Sequence, residues 1–515
     1  MERAFLMRML FLYTSYIQHD VKLDLERREI MQVLKNILNK VTHKFVISGL
    51  LLGMSLYLII SLLLLGVLPV LYASIVIIII LCINVSLFFM MKTDNEKSVR
   101  VVVSKVICVV LSIIMLIGGI YLNKGNQTLK SITSADKDTY TYSLIVLKDS
   151  HLDSIKDMKN KKIVMNVKED IQYFTKALTS LKENNKDFQS EEINDFHQSA
   201  NYLYQKKCDG IFINEAYRTI IEENYPHFTE ETKVIWSCSI DKKIEDFSKN
   251  VDVTNKPFVI YISGIDTFGN VSTVSRSDVN MIVTINPVTK QILMTSIPRD
   301  YYVTLANKGK KDKLTHSGLA GIENTVKTVE NFMDIDINYY ARVNFTSLIR
   351  MVDALGGIEV ESIEDFTIGQ YHYVKGINQL NGNQALYFAR ARYTVTGGDN
   401  GRVANQQRVL TGMLKKMMSP VILTNYTSVL DSIEGCFETN MSADEITSLI
   451  QMQLSDMSSW NIVHKQMSGH GQKLTGGAYM PQSKLYYMIP NDESIQENKL
   501  YIQKILKGEK ITNKE

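Results

Sequence analysis

The sequence predicts a membrane-anchored α/β protein, in which three N-terminal transmembrane helices precede a small α/β accessory domain and then an α/β/α sandwich. Residues 45–91 carry no charged side chain over 47 consecutive positions, which is enough length for two membrane spans. From residue 139 onward, short apolar runs alternate with helical stretches, a pattern typical of α/β domains. The 515 residues also exceed the size at which a single hydrophobic core stops growing, so several domains are expected.

The transmembrane region is predicted to cover residues 45–122. The segment Gly66–Pro69 interrupts the first apolar stretch, and a third apolar run extends from Val106 to Leu122. Basic residues lie before the first span and between the second and third spans, which favours a cytoplasmic location for both flanks. The sequence therefore predicts a multi-pass protein of the cell membrane, with residues 1–44 cytoplasmic and the large region after Leu122 extracellular.

The charge balance excludes a strongly basic nucleic-acid-binding protein, because the net charge of the chain is only +3. Residues 1–136 hold an excess of six positive charges, and residues 137–515 hold an excess of three negative charges. In residues 1–44, eight basic residues are mixed with five acidic ones, which does not favour a DNA-binding arm. No nucleic-acid partner is expected. The first apolar run begins 44 residues into the chain and two more spans follow it, which does not favour a cleaved signal peptide. Whether translation begins at Met1 or at Met31 stays open.

Cysteine usage predicts neither a metal knuckle nor a fold that depends on disulfides. Three of the five cysteines, Cys208, Cys238 and Cys436, lie in the predicted extracellular region. Because thiols oxidise readily outside the cell, a disulfide between Cys208 and Cys238 is an alternative that the sequence leaves open.

The accessory domain is predicted over residues 139–250, after a polar linker at residues 123–138. It has no cluster of catalytic residue types, so we expect a structural or recognition module. Its strands are predicted at Tyr142–Leu147, Lys162–Asn166 and Gly210–Asn214, and its helices at Ile171–Lys182 and Ser199–Lys206.

The larger domain is predicted over residues 257–490, and a C-terminal helix or tail follows at residues 491–515. Together its elements predict an α/β/α sandwich. Its strands are predicted at Phe258–Ser263, Asn280–Asn286, Gln291–Ile297, Tyr339–Phe345 and Ile358–Ser362, of which the second and third form a hairpin. Its helices are predicted at Gly321–Met333, Thr346–Leu355, Asn383–Ala389 and Arg402–Met418.

Charged and polar side chains gather at the ends of the predicted elements in this larger domain. They are Asp266, Arg276, Asp278, Arg299, Arg390, Arg392, Arg402 and Gln406. Arginine binds phosphate oxygens bidentately, so several arginines together can hold a diphosphate. Two aspartates suffice for Mg²⁺, which takes its other ligands from water and substrate phosphates. The combination predicts phosphoryl transfer by positioning and charge neutralisation, although each residue alone is more often part of a surface salt bridge.

At these residues the chain resembles the LytR-CpsA-Psr proteins of Gram-positive bacteria. The resemblance is carried, in order, by SGIDTFGNVSTVSRSDVNMIVTIN, TSIPRDYYV, KLTHSG, VDALGGIEV, LNGNQALYFARARY and GDNGRVANQQRVL. Three spans followed by an accessory domain are similar to the streptococcal capsule-type branch of that family. The resemblance implies a membrane-anchored glycopolymer ligase. Such a phosphotransferase joins an undecaprenyl-diphosphate-linked polymer, capsular or teichoic-acid-like, to peptidoglycan through a phosphodiester.

Position by position, the resemblance implies a role for each candidate residue. Asp266 and Asp278 match the family's Mg²⁺-binding aspartates, with Mn²⁺ as an alternative ion. The diphosphate-binding residues are implied to be Arg299, Arg390, Arg392, Arg402 and Gln406, and the catalytic residues Asp278, Arg276 and Arg299. One departure from the family pattern is Asn405, since many members have arginine before the glutamine.

The resemblance also implies an apolar tunnel for the lipid, although residues at these periodicities are more often plain core. The candidate tunnel residues are Phe332, Tyr340, Phe345, Ile349, Phe366 and Phe388. Lys313 and His316 are further candidates near the site, where a solvated lysine and a packed histidine are equally typical.

Two other functions stay open from the sequence. The same site could cleave a polyprenyl diphosphate with water, which would make the protein a phosphatase. Alternatively, the outer domains could bind a lipid-linked polymer and signal inward through residues 1–44, as in a regulatory or sensing protein of capsule synthesis. The partners expected for the ligase are a polyprenyl-diphosphate-linked glycan, a peptidoglycan acceptor and membrane lipid.

Overall fold

The computed structural model describes residues 31–33, 35, 40–92, 98–133, 137–167, 170–193, 195–265, 267, 270–419, 425, 428–432, 434–435 and 437–512. The predicted metal ligand Asp266, the residue Cys436 and residues 1–30 of the predicted cytoplasmic segment lie outside these residues. Residues 1–126 and 127–515 form two compact units.

The first unit contains three helices that are long and apolar enough to cross a membrane, as predicted. They are α1 (Lys44–Leu65), α2 (Val70–Met91) and α3 (Val99–Thr133). Gly66 ends α1 in the left-handed region at φ 64°, where glycine avoids steric strain. Between helices, Asn84 donates to the Ser55 hydroxyl at 2.8 Å. Such polar contacts and close helix packing are typical of helices in lipid.

Helix α3 differs from the prediction because it continues to Thr133, so residues 123–133 of the predicted linker are helical. Leu129 and Ile132 in its last turns are buried. The hydroxyl of Thr128 also donates to Asp431 at 3.3 Å. The polar composition of this segment masks two apolar positions spaced for one helix face, and burial of these positions stabilises the extra turns.

In the second unit, residues 137–243 form a five-stranded sheet with the strand order β3-β2-β4-β1-β5. Its strands are β1 (Lys137–Leu147), β2 (Lys162–Met165), β3 (Gln189–Glu192), β4 (Gly210–Asn214) and β5 (Thr232–Lys243). Its helices are α4 (Ile171–Asn184), α5 (Phe196–Tyr204), α6 (Arg218–Glu222) and α7 (Phe228–Glu231). Strands β3 and β5 were not predicted, because β3 is entirely polar and β5 alternates in burial at a sheet edge.

Cys208 and Cys238 are separate thiols in this sheet domain, so the disulfide left open by the sequence is not formed. Burial raises the pKa of Cys208 to about 12, which keeps the thiol protonated and unreactive at neutral pH.

Residues 258–466 form a six-stranded sheet with the strand order β16-β11-β6-β7-β8-β17. These strands are β6 (Phe258–Ile265), β7 (Ser277–Asn286), β8 (Gln291–Ile297), β11 (Tyr339–Val343), β16 (Phe437–Thr439) and β17 (Asn461–Gln466). The predicted hairpin is confirmed, since β7 and β8 pair in antiparallel register. The two outer strands, β16 and β17, were not predicted.

One predicted strand of the sandwich, Ile358–Ser362, lies outside this sheet. It forms β12, which pairs with β15 (Gly376–Leu380) in a separate two-stranded ribbon. Gly356 and Gly357 both have positive φ and turn the chain away from the sheet before β12 begins. Other short strands are β9 (Tyr302–Thr304), β10 (Lys311–Lys313), β13 (Phe366–Ile368), β14 (Tyr371–Tyr373), β18 (Gly469–Leu474) and β19 (Leu485–Pro490).

Helices accompany the six-stranded sheet close to the predicted positions, except that the helix at Ala443–Asp456 was not predicted. They are α8 (Ile322–Met333), α9 (Phe345–Ala354), α10 (Gly382–Arg390), α11 (Asp399–Met417), α12 (Ala443–Asp456) and α13 (Asp492–Leu506). The predicted C-terminal helix is α13, and the chain after it is fixed to the sheet because the amide of Ile511 donates to the Gln291 side chain at 3.0 Å. The mixed α/β class is therefore confirmed.

A buried ion-pair cluster joins the two sheets. Arg342 in β11 lies between Asp138 in β1, at 2.7 Å, and Glu438 in β16. The three side chains are at most 8% exposed. We call them the Arg342 cluster.

Candidate functional site

A cavity of about 630 Å³ opens between the six-stranded sheet and helices α9, α10 and α11. Its inner wall is apolar and comes from strands and helices together. Representative side chains are Ile262, Met281, Val343, Phe345, Leu348, Leu386, Leu410 and Met413. The sequence folds this way because β6, β7 and β11 are central strands with apolar residues on both faces, and one face is left to line the cavity.

The mouth of the cavity brings together six of the eight predicted site residues. They are Asp278, Arg299, Arg390, Arg392, Arg402 and Gln406. Arg402 and Gln406 lie one turn apart in α11 and share one face of that helix, as their i, i+4 spacing predicts. Arg390 ends α10, and its guanidinium lies 4.5 Å from the ring centroid of Phe345. Four arginines therefore face one space where polar mouth and apolar wall meet.

The positive charge of these arginines is only partly compensated. Arg392 and Arg402 share the carboxylate of Asp399, at 3.2 Å and 2.7 Å. Arg299 has Asp278 at 3.1 Å and Asp300 at 3.8 Å. Burial lowers the pKa of the Arg402 guanidinium, and the neighbouring Arg299 and Arg392 lower it further against the opposing effect of Asp399. An anion bound between these arginines would relieve their repulsion.

Asp278 lies at the entry of β7 and is kept ionised by its neighbours. Burial alone would raise the pKa of this carboxyl, but Arg276, Arg299 and the Thr315 hydroxyl together hold it below its usual range. Its Oδ1 accepts a hydrogen bond from Thr315 at 2.8 Å. Among the described residues its buried Oδ2 accepts no hydrogen bond, although Arg299 forms an ion pair with it at 3.1 Å. Asp278 therefore presents one carboxylate oxygen that can bind a cation or a proton.

Arg276 does not line the cavity but lies behind Asp278, 4.0 Å from its Oδ2. The near-site candidates Lys313 and His316 lie on the same side, and both contact Glu223 of the five-stranded sheet domain. His316 is fully buried, with its Nδ1 2.9 Å from Oδ1 of Asp312. These three basic residues therefore form a layer behind the cavity.

The departure at Asn405 leaves the cavity unchanged, because this side chain points elsewhere. Asn405 is buried, accepts a hydrogen bond from Arg408 at 2.7 Å and donates to the Phe388 carbonyl at 3.4 Å. The glycine-rich turn before it is needed for the backbone: Gly397 and Gly398 have φ of 84° and 58°. The turn leads directly into α11, whose first residue is Asp399.

The candidate tunnel residues were mostly wrong. Phe345 is the one of the six that lines the cavity in the described part of the chain. Phe366 and Phe388 pack against each other, with ring centroids 5.3 Å apart. Phe332 packs edge-to-face on Tyr301 at 6.0 Å. Aromatic periodicity marked core positions here, whereas aliphatic and methionine side chains line most of the cavity.

Sequence reasoning missed Asp399, Thr315 and Glu223. The spacing of Asp399 and Arg402, three residues apart in the first turn of a helix, is a local signal that could have revealed their ion pair. No local signal exists for Glu223, which is 53 positions before Arg276 and belongs to another sheet.

Known proteins with related sequences share this region of the chain. The model of the LytR_cpsA_psr family matches residues 227–499. A protein of Bacillus anthracis named polyisoprenyl-teichoic acid–peptidoglycan teichoic acid transferase TagU is 36% identical over 238 residues, covering 46% of this chain and 75% of that protein. The protein of the same name from Enterococcus faecalis is 34% identical over 258 residues, covering 48% of this chain and 84% of that protein.

Among solved structures, the crystal structure of B. subtilis TagU is 29% identical and covers 50% of this chain and 100% of that chain, with a TM-score of 0.40. The family match takes in more than half of the residues and includes the whole cavity mouth. This chain therefore belongs to the LytR-CpsA-Psr family and is one of its transferases, the cell wall glycopolymer ligases.

Proposed function

We propose that this protein transfers a glycopolymer from a polyprenyl diphosphate carrier, such as undecaprenyl diphosphate, to peptidoglycan. The cavity carries the proposal, because one continuous space joins an apolar wall to a mouth with four arginines. A ligand with a diphosphate head and a hydrocarbon tail has the chemistry that matches both parts. The relatives named for a polyisoprenyl-linked teichoic acid and peptidoglycan support the same pair of substrates. The transferred polymer is proposed to be capsular or teichoic-acid-like.

Magnesium dependence is part of this proposal. Among the described residues no group of three metal-ligating side chains exists. Mg²⁺ does not need one, since it binds through one or two carboxylates, waters and substrate phosphates. The Oδ2 atom of Asp278, which is buried and accepts no hydrogen bond from the part of the chain that the structure describes, fits this donor set. Asp278 and the predicted ligand Asp266 would hold Mg²⁺, or Mn²⁺ in its place. When bound, the ion would neutralise negative charge on the phosphates.

The protein residues act mainly by binding and positioning. Arg299 and Arg402 would hold the diphosphate oxygens, and Arg390 and Arg392 would flank them at the mouth. A peptidoglycan sugar hydroxyl would attack the phosphorus nearest the polymer. The bond from that phosphorus to the bridging oxygen would break, releasing polyprenyl phosphate. Asp278, or its neighbourhood paired with Arg276, would take up the proton of the attacking hydroxyl, and the released phosphate would carry away the electrons of the broken bond.

The proposed localisation is the cell membrane, with the cavity outside the cytoplasm. Three apolar helices support a multi-pass anchor, and the basic residues that flank them support a cytoplasmic N-terminal side. Residues 127–515 would then meet lipid-linked polymer and peptidoglycan on the outer side. Labelling of single cysteines introduced at exposed positions of α13 by a membrane-impermeant reagent on intact cells checks this topology.

A transfer assay tests the proposed reaction. The full chain in detergent is incubated with Mg²⁺, a polyprenyl-diphosphate-linked disaccharide labelled in the sugar, and uncross-linked peptidoglycan oligomer. We expect label on peptidoglycan and one polyprenyl phosphate released per transfer. Transfer is expected to stop with a chelator and to return with added Mg²⁺.

Two other outcomes would replace this function. Release of labelled sugar phosphate without labelling of peptidoglycan would show that the protein is a phosphatase. A chain that neither transfers nor hydrolyses, but loses its effect in cells when residues 1–30 are deleted, would show a regulatory role. As a ligase, the protein should keep its transfer activity after that deletion.

A further inference from the structure

A carboxylate from the five-stranded sheet domain reaches the layer of basic residues behind the cavity. It belongs to Glu223, which directly follows helix α6. Ile220 and Ile221 in that helix are fully buried in the core of the domain. The backbone of Glu223 is also tied to the helix by a hydrogen bond to the Ile220 carbonyl, at 3.3 Å. The carboxylate is therefore presented from a rigid base.

Three basic side chains of the cavity-bearing domain converge on this carboxylate. Oε1 of Glu223 lies 2.8 Å from Nζ of Lys313, 3.5 Å from Nε2 of His316 and 4.0 Å from Nη1 of Arg276. The Glu223 side chain is 14% exposed and that of Lys313 is 10% exposed. Burial would raise the pKa of Glu223, but His316 and Lys313 lower it to about 2. Glu223 is thus a permanent negative charge at neutral pH.

From Glu223, two short chains of charged groups lead to the mouth of the cavity. The first passes through Arg276, which is 4.0 Å from Glu223 and 4.0 Å from Asp278. The second passes from Lys313 to Asp300, at 3.9 Å, and from Asp300 to Arg299, at 3.8 Å. Both chains end on residues that line the cavity. The positions of Asp278 and Arg299 are therefore coupled to a residue of the other sheet.

The backbone of Lys313 is fixed independently, so Glu223 acts mainly on the end of its side chain. The Lys313 amide donates to Oδ1 of Asp312 at 2.7 Å. The same carboxylate contacts His316 and accepts the Tyr479 amide at 2.9 Å. Without Glu223, the Lys313 ammonium would be left with Asp300, where it would compete with Arg299 for one carboxylate.

We propose that Glu223 is a positioning residue for the transfer reaction, through which the accessory domain completes the active site. It holds the ammonium of Lys313, so that Arg299 keeps Asp300, and it orients Arg276 behind Asp278. Arg299 would then hold the bound phosphates in the reactive arrangement. This inference rests on the proposed function. It assigns to the accessory domain a part in catalysis, in place of a purely structural role.

The test compares four variants of the full chain in the transfer assay with the labelled polyprenyl-diphosphate disaccharide and peptidoglycan oligomer. They are Glu223→Gln, Lys313→Met, the double variant of these two, and Glu215→Gln as a matched control. Glu215 belongs to the same domain and pairs with Arg218 at 2.6 Å, and it is not among the described residues that line the cavity. Its loss removes a comparable ion pair without touching Lys313 or Arg276.

For Glu223→Gln we expect kcat to fall by about 10- to 100-fold, as is usual when a supporting partner of a catalytic group is removed. The KM for the lipid-linked donor should not rise, because removing a negative charge does not weaken attraction for an anion. In the double variant the loss should be clearly smaller than the product of the two single losses, since part of the effect of Glu223 passes through Lys313. Glu215→Gln should transfer at the wild-type rate.

A structural role would give a different pattern. Circular dichroism and thermal melting give the folded fraction of each variant, and kcat is expressed per folded molecule. If Glu223→Gln does not fold, Glu223→Asp keeps the charge but shortens its reach, and it should lower kcat in the same direction. Transfer at the wild-type rate by the folded variants, or losses that multiply in the double variant, would overturn the proposal. A wild type without any transfer would instead overturn the proposed function, and this inference with it.

Discussion

The unit formed by residues 127–515 contains two sets of arginine that differ in burial and in how their charge is balanced. In the Arg342 cluster, one guanidinium lies between two carboxylates and is 3% exposed. At the cavity mouth, four partly exposed arginines face three carboxylates: Arg392 and Arg402 share one, and Arg299 contacts the other two. A balanced arginine needs no further partner and joins elements of structure. An incompletely balanced set leaves an attraction for an anion, which is the property that a binding site needs.

The largest expected effect tests the structural side of this comparison. Arg342→Met would leave Asp138 and Glu438 buried without their shared partner. We expect a loss of about 3–5 kcal/mol in the free energy of unfolding, the usual cost of removing one partner of a buried ion pair. Chemical denaturation of the full chain in detergent measures it. Transfer per folded molecule should stay at the wild-type level; a selective loss of kcat would contradict the structural assignment of Arg342.

Removing an arginine of the cavity should have the opposite effect: a large loss of transfer activity and a small loss of stability. Arg299→Ala is expected to lower the rate of transfer on the order of 10²–10³-fold, the usual effect of losing one donor that stabilises transition-state charge. Its effect on stability should be small, because Asp278 keeps Arg276 nearby. The transfer assay and thermal melting check the two expectations. Full activity in Arg299→Ala and Asp278→Ala would contradict the proposed site.

A smaller effect on the rate of transfer is expected at Asp399, the carboxylate that Arg392 and Arg402 share. As in the Arg342 cluster, a single charged group there is shared by two partners of opposite charge. Asp399→Asn keeps the shape of the side chain but removes the charge that holds both arginines. Diphosphate affinity should rise, because the positive charge becomes less balanced, while kcat should fall about tenfold as the arginines lose their orientation. Calorimetric titration with inorganic diphosphate and the transfer assay separate these effects. Weaker diphosphate binding by Asp399→Asn would contradict the idea of incomplete balance.

The smallest effect concerns the pH dependence of stability at two buried glutamates. Burial raises the pKa of the Glu438 carboxyl above its ordinary value of 4.5. Arg342 lowers this pKa and Asp138 raises it, and the net shift is upward. Its contribution to stability is therefore present below pH 4.5 and is lost as pH rises through the folded pKa. Glu223 behaves in the opposite way: with a folded pKa of about 2, it stabilises the protein above pH 4.5 and loses this contribution as pH falls towards 2.

Thermal melting on both sides of pH 4.5, at constant ionic strength, checks these signs. Glu438→Gln should flatten the change in Tm above pH 4.5, and Glu223→Gln should flatten the change below it. His316, Lys313, Arg276 and Asp312 surround the Glu223 carboxylate and its partners, so the low-pH change reports on this cluster as a whole. Identical pH profiles for the two variants would contradict the opposite charge balance of the two glutamates.

Local patterns predicted much of the fold. The apolar run that ends at Met91 and the break at Gly66 predicted α1 and α2, and the turn Pro287–Lys290 between two strands predicted the hairpin β7–β8. The prediction failed where an element depends on its neighbours. The polar strand β3 and the short outer strands β16 and β17 are stabilised by backbone pairing with distant segments, which no local pattern reveals. The strand at Ile358–Ser362 was predicted correctly, but it was assigned to the main sheet, whereas it pairs with β15 in a separate ribbon.

By itself, the sequence determined the three apolar helices, the alternation of strands and helices, and the set of arginines, because periodicity, length and charge act between residues close in the chain. The tertiary structure alone decided which arginines are balanced and which are not. The balance at Arg342 comes from Asp138 and Glu438, which reach it from strands distant in the chain. The same holds for Glu223, whose contact with Lys313 depends on how two domains pack. Such contacts are set by burial and by the mutual fit of distant surfaces, which local sequence does not encode.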